Sequence, residues 1–209
     1  TSVLTTSAVS PDGKKSLPVK RLYSKAKYGI TINSPYNEKY TGGGDLALVD
    51  GMTGSPGFND GKWQGYYGSD LDVTLDLKEK KEVKNLSINF LRDTGSWLFL
   101  PDSVEYFISD GGKNFTKLGA VVNNESNLDE KKIIKAFQLK PENAEGRYIR
   151  VIGKNMGVCP PGHKGAGDKA WIFADEITVE EYLLISPEML WKKNGSLSEL
   201  ISARKAGAA

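Results

Sequence analysis

One stretch, GVCPPGHKGAGDKAWIFADEITVE (157–180), holds the only cysteine and the only histidine of the chain. Cys159 precedes His163 by four positions, close enough for a loop to bring thiol and imidazole together, and a thiolate beside a histidine is an acyl-transfer nucleophile. Against this, a lone cysteine followed by two prolines also has the make-up of a small apolar packing group. No G-x-S-x-G or H-E-x-x-H pattern surrounds any other candidate. Opposed carboxylates would suit glycoside hydrolysis, and the chain has 26 acidic residues. They fall on alternate positions of strand-like runs or in turns, so no pair is set apart. On these grounds the chain is expected not to be an enzyme.

Binding chemistry is better represented. KWQGYYG brings Trp63, Tyr66 and Tyr67 into one turn-rich segment, FLRDTGSWLFLP carries Arg92, Asp93 and Trp97, and the long loop adds Asn155, His163, Lys164 and Asp168. Aromatic faces stack on the apolar side of a pyranose, and Arg, Asn, His and Asp answer its hydroxyls with directed hydrogen bonds. That is the make-up of a small polar-ligand site. Trp63 and Trp171 also have a core reading, because tryptophan is highly buried on average; for Trp97 both readings stand.

These residues need elements to hold them. DLDVTLDL alternates, with Leu71, Val73, Leu75 and Leu77 on one side and Asp70, Asp72, Thr74 and Asp76 on the other, a strand with one wet face. The signature returns at 83–91, 104–109, 133–139, 147–155 and 170–180, and SDGGKNF (109–115) suits a hairpin turn. With short strands and no run of helical period before residue 181, the fold class is all-β, an antiparallel β-sandwich or jelly roll. The three aspartates lack the glycine and terminal glutamate of an EF-hand loop. Residues 1–28, rich in Ser, Thr and Lys, read as a linker or the remnant of a preceding domain, 29–181 as the sandwich, and 182–209 as a tail. In that tail Leu197, Leu200 and Ile201 are spaced for a short helix.

Composition narrows the classes. A hydrophobic fraction of 39% with 23 glycines in 209 residues favours a turn-rich β domain. A net charge of +2, with Lys alternating with Asp and Glu, offers no broad basic field for nucleic acid. No apolar run nears the roughly 18 residues of a membrane span, no signal-peptide core is present, and the single cysteine rules out an internal disulfide.

The segments KYTGGGDLALVDGMTGSPGFNDGKWQGYYGSDLDVTLDLKE, INFLRDTGSWLFLPDSVEYFISDGGKNF and RYIRVIGKNMGVCPPGHKGAGDKAWIFADEITVE resemble the F5/8 type C (discoidin-like) module. They are similar to carbohydrate-binding module family 32, in the form found at the C-terminal end of Bacteroidetes family 20 β-N-acetylhexosaminidases, the chitobiase-like enzymes. The resemblance covers about residues 30–180 and implies a galactose-binding-domain-like jelly roll. Its implied role is non-catalytic binding of terminal galactose- or N-acetylhexosamine-type sugars, through a site drawn from Trp63, Tyr66, Tyr67, Arg92, Trp97, Asn155, His163, Lys164 and Asp168. It further implies a bacterial periplasmic, cell-surface or secreted setting, an attached catalytic domain as partner and a monomeric state; an alternative role is bracing that domain without sugar affinity. Membrane docking would require apolar spikes at the loop tips, which here offer mainly Gly, Asp, Tyr and Lys. A structural calcium ion is implied as well, at Asp50 and Glu176 with carbonyls near Leu48 and Thr53. Met52 stands where an acidic residue often follows the glycine, leaving Asp60 as a substitute ligand. Strand parity would put Asp175, and not Glu176, on the side of Trp171 and Phe173 unless a bulge intervenes.

Overall fold

The structure, a computed structural model, describes residues 2–23 and 26–182. Ten strands follow in chain order: β1 (Ser2–Thr6), β2 (Val19–Tyr23), β3 (Gly29–Ile32), β4 (Gln64–Tyr67), β5 (Leu71–Arg92), β6 (Ser103–Ser109), β7 (Thr116–Val122), β8 (Ile133–Leu139), β9 (Ala144–Lys154) and β10 (Trp171–Glu181). Among the described residues the only helical pieces are two single 3₁₀ turns, at Ala47–Val49 and Thr94–Ser96. Among the described residues no helix is long and apolar enough to cross a membrane. The short helix expected near Leu197 lies outside the described residues.

The runs expected at 71–77 and 83–91 join into one strand of 22 residues. β5 bends where Lys78 takes φ 72° and the pairing with β9 shifts register between Asp76 and Lys81. Before the bend it pairs with β3 and β9; after it, with the first residues of β9 and then with β10 and β8. The eight-stranded antiparallel sheet, ordered β4-β10-β5-β9-β6-β7 with β3 and β8 added on β5, thereby doubles over into two layers. The core lies between them: Leu71, Val73 and Leu75 from the first half of β5 and Leu86, Ile88 and Phe90 from the second are all 0% exposed. Alternation in the sequence sets this up, because period-2 apolar residues can face one side only.

The wet face of β5 is a ladder of ion pairs. Asp76 accepts two hydrogen bonds from Arg147, at 2.7 and 2.7 Å, Asp72 accepts from Arg150 and Asp70 from Lys154 at 2.8 Å. These aspartates, read from sequence as a solvent-facing row, are the cross-strand partners of the basic row of β9.

Within residues 1–28, expected as a linker or the remnant of a preceding domain, β1 and β2 pair antiparallel over five residue pairs as a separate two-stranded sheet, and Gly13 N–H donates to the Ser10 carbonyl in the turn. The signal was present: Pro-Asp-Gly at 11–13 is a turn sequence with Gly supplying φ 81°.

Candidate functional site

Three loops meet at one end of the sandwich: the turn after β5 (93–102), the connection from β7 to β8 (123–132) and the long loop between β9 and β10 (155–170). They enclose a cleft of ≈ 250 Å³ lined by Thr94, Gly95, Leu128, Glu130, Gly162, His163 and Lys164.

The long loop is internally braced. His163 Nε2 lies 2.9 Å from the Thr94 carbonyl and Nδ1 accepts the Gly165 N–H at 3.0 Å. This assigns the neutral tautomer with the proton on Nε2, and both ring nitrogens are spent on backbone. Trp97, held in the left-handed region at φ 61°, stands edge-on to His163 with centroids 5.4 Å apart, and Lys164 Nζ sits 4.7 Å over its ring. Gly165 lies flush on the indole: a Cβ there would come within 1.9 Å of Trp97 Nε1, so only glycine fits. Trp97 is half-buried beside the cleft, partly roofed by residues 163–165. The Asp168 backbone closes the base of the loop, its carbonyl accepting the Cys159 N–H at 2.7 Å, while its side chain is exposed. Cys159 is 1% exposed against Phe99 and Ala170, and burial pushes its thiol up, away from the thiolate a nucleophile needs.

The other expected ligand residues fall elsewhere. Tyr66 is core, 0% exposed, with its hydroxyl donating to Gln64 Oε1. Trp63 is 1% exposed because the 50–60 excursion folds over it: Gly54 sits directly on the indole, whose N–H donates to the Ser55 carbonyl. Arg92, 0% exposed, donates to the carbonyls of Lys131 and Ser126 and to Asp129 Oδ2, so it pins the β7–β8 loop from within instead of facing a ligand. Asn155 clamps Ala170 and Gly157 by backbone hydrogen bonds. Tyr67 is exposed and stacked on Trp171, at 4.5 Å and 30°. The sequence reading missed Leu128 and Glu130, since NNESNLDEKK has neither period nor aromatic to mark it, and Thr94, which lies between the residues it did single out, Asp93 and Trp97.

The acidic residues around Gly51 form a second constellation. β10 carries the bulge that strand parity required, with register shifting between Ala174 and Ile177. It turns both Asp175 and Glu176 toward the 50–54 turn: Glu176 accepts the Gly51 N–H at 2.8 Å, Asp175 the Gly54 N–H at 2.6 Å, and Asp50 the Met52 N–H at 2.8 Å. Burial first, then the charges of Asp50 and Asp175, push Glu176 up to about 7, and burial raises Asp50 and Asp175 too. Asp175 Oδ1 is buried with no hydrogen-bond partner among the described residues. Asp60 is turned away, closing its own turn on the Ser55 and Lys62 N–H groups, and Lys62 Nζ donates to the Thr53 carbonyl. Among the described residues no three His, Cys, Asp or Glu side chains converge to hold a metal by side chains alone.

Comparison with known proteins bears on family. No curated protein matches the chain. Similar solved structures include a CBM32 module of GH89 from Clostridium perfringens in complex with GalNAc-β-1,3-galactose (17% identity, 73% of this chain and 94% of that one, TM-score 0.46). Others are the C-terminal domain of a chitobiase from Bacteroides fragilis (18%, 75% and 96%, TM-score 0.42) and a fucolectin from striped bass serum (19%, 75% and 47%, TM-score 0.48). The model of the F5/8 type C domain matches residues 29–167, most of the sandwich described above. With strands, bends and apical loops in that order, the chain belongs to the F5/8 type C domain family.

Proposed function

We propose that the chain is a non-catalytic carbohydrate-binding module of a secreted or cell-surface glycoside hydrolase, and that it takes a terminal galactose- or N-acetylhexosamine-type sugar in the apical cleft. The observation that carries this is the cleft itself, built where three loops of an F5/8 type C domain converge. It offers the apolar Leu128 wall and Lys164 and Glu130 as opposite charges for hydroxyl or amide groups, with the half-buried Trp97 ring beside it. His163 acts by holding the loop, since neither ring nitrogen is free to meet a ligand. Calorimetric titration with galactose, N-acetylglucosamine and N-acetylgalactosamine tests the reading. Saturable heat is expected in the millimolar range, weakened in Trp97→Ala; His163→Ala is expected to weaken it by freeing the loop and to lower the unfolding temperature at the same time. Absence of heat for every sugar overturns it.

A second reading, a brace for a neighbouring catalytic domain, is favoured by one observation. The 163–165 segment already covers part of Trp97, as a rigid docking surface would.

A calcium ion fits the Gly51 constellation by donor chemistry. Asp50 and Glu176 would hold it with the carbonyls of Leu48 and Thr53, oxygen donors of the kind a hard cation takes. It would add to the positive charge that Lys62 brings to three crowded carboxylates. Lys62 competes for the Thr53 carbonyl.

A further inference from the structure

On the outer face of β4 and β10 lies an aromatic ledge separate from the apical cleft. Tyr67 stacks on Trp171; Trp171 meets Tyr40 edge-on at 5.3 Å; Tyr40 meets Phe58 at 6.1 Å. Beneath them Trp63, Leu91, Leu98 and Phe173 form a small core of their own. Between residues 39–42 and 58–63 the ledge opens into a cleft of ≈ 210 Å³ whose lining includes Lys39, Tyr40, Phe58 and Asn59.

Charge distinguishes this cleft. Its lining carries a lysine and no carboxylate, whereas the apical cleft sets Glu130 beside Lys164 and the cleft at the 109–116 hairpin sets Asp110 and Glu145 beside Lys113. Lys39 Nζ lies 5.5 Å over Tyr40, and Lys169 Nζ 5.6 Å over Tyr67. Among the other cations placed over rings, Lys27, Lys117, Lys135 and Arg147 are ion-paired to a carboxylate, and Lys164 over Trp97 is not, among the described residues. Lys39 and Lys169 are not, among the described residues; their exposed chain neighbours Glu38 and Asp168 make no ion pair with them. The Tyr40 hydroxyl and the Asn59 amide likewise have no hydrogen-bond partner among the described residues.

We propose that this flank cleft is a second glycan subsite, selective for an anionic pyranose such as a uronic acid or a sulfated sugar. The aromatic ledge takes the apolar face of the ring. Lys39, which lines the cleft, meets the carboxylate or sulfate, and Lys169, over Tyr67 at the other end of the ledge, adds positive charge along the same face. Asn59 and the Tyr40 hydroxyl take ring hydroxyls. The ledge is joined to the apical loops through Trp171, whose backbone N–H donates to the Trp97 carbonyl at 3.0 Å.

The inference shares with the proposed function the premise that the module binds sugar, and the test separates the two. Galacturonic acid is titrated against galactose, and glucuronic acid against glucose, at low and at physiological salt. The expected result is uronate binding about five-fold tighter than the neutral parent at low salt, the size of one or two exposed charge pairs, shrinking as salt is added. Lys39→Met combined with Lys169→Met loses that gain while keeping its affinity for neutral sugars. Equal affinity for acid and parent overturns the flank subsite and leaves the apical reading standing. So does a uronate gain that survives the double variant but disappears in Lys164→Met, which would place the charge in the apical cleft. Binding of uronates alone, lost in the double variant, supports the flank subsite and overturns the apical one. Silence for all sugars overturns both.

Discussion

Arg92 and His163 show how residues with the chemistry of ligand contacts can be spent on holding apical loops in place. Each directs its polar atoms at loop backbone: Arg92 at the carbonyls of Ser126 and Lys131, His163 at the Thr94 carbonyl and the Gly165 N–H. A guanidinium suits the first task because its fixed fork meets several acceptors at once, which an ammonium cannot do. Arg92→Ala leaves two carbonyls short of donors and a void under the loop. It is expected to cost about 2–3 kcal/mol by chemical denaturation, with Arg92→Lys recovering little of it. A loss below about 0.5 kcal/mol, the scale of ordinary surface changes, would mean that water replaces the guanidinium without penalty.

At the scale of elements, the ladder joining β5 to β9 ties sheet register to charge. Hydrogen bonds from Arg147 lower the carboxyl of Asp76 below its ordinary value of 3.8. A group whose folded pKa is depressed contributes stability that is fully present above the unfolded value and is lost as pH falls through the folded one. The pair is partly exposed, 32% for Asp76 and 41% for Arg147, so screening limits its worth to about 0.5 kcal/mol. Asp76→Asn is therefore expected to lower the unfolding midpoint by about 1–2 °C at pH 7, with the difference closing below pH 3.8. A gap that stays constant down to pH 2 would show that the loss is one of packing. The bulge in β10 works at the same scale: one extra residue turns Glu176 toward the Gly51 loop, against the parity of the strand, and so collects three carboxylates around one turn.

For the whole molecule, two consequences follow from what is tied to what. The β1–β2 hairpin shares no strand pairing with the main sheet. Removing residues 1–23, short of Tyr28 in the core, is expected to leave the unfolding midpoint within about 2 °C, since no pairing of the main sheet is lost among the described residues. A larger fall would reveal packing between hairpin and sandwich. The crowded carboxylates predict the opposite sensitivity. Calcium at a hundredfold excess over its dissociation constant would stabilise the fold by about 2.7 kcal/mol, a rise of several degrees that a chelator reverses and that Asp50→Asn with Glu176→Gln abolishes. Identical melting with calcium and with chelator would remove the metal from the account.

Much of the architecture was legible because its signal is local. Leu71, Val73, Leu75 and Leu77 alternate with aspartates, and period 2 can be satisfied only by a strand with one buried face. Repeated six times between turn sequences, that pattern determines a sandwich, and the order of its segments carries the family. The Pro-Asp-Gly turn of the first hairpin was equally local, though the lysines around it suggested a linker. What a given aromatic or charged side chain faces is not local. Trp63 and Tyr67 lie four residues apart in one segment, yet a loop ten residues upstream roofs the first and leaves the second in solvent. Arg92 and His163 have the types and spacing of ligand contacts, and only the packing of loops from distant parts of the chain spends their hydrogen bonds internally. The sequence by itself determined which residues alternate and where the chain turns; the tertiary structure decided which polar groups remain free, because that depends on neighbours that folding alone brings within hydrogen-bonding reach.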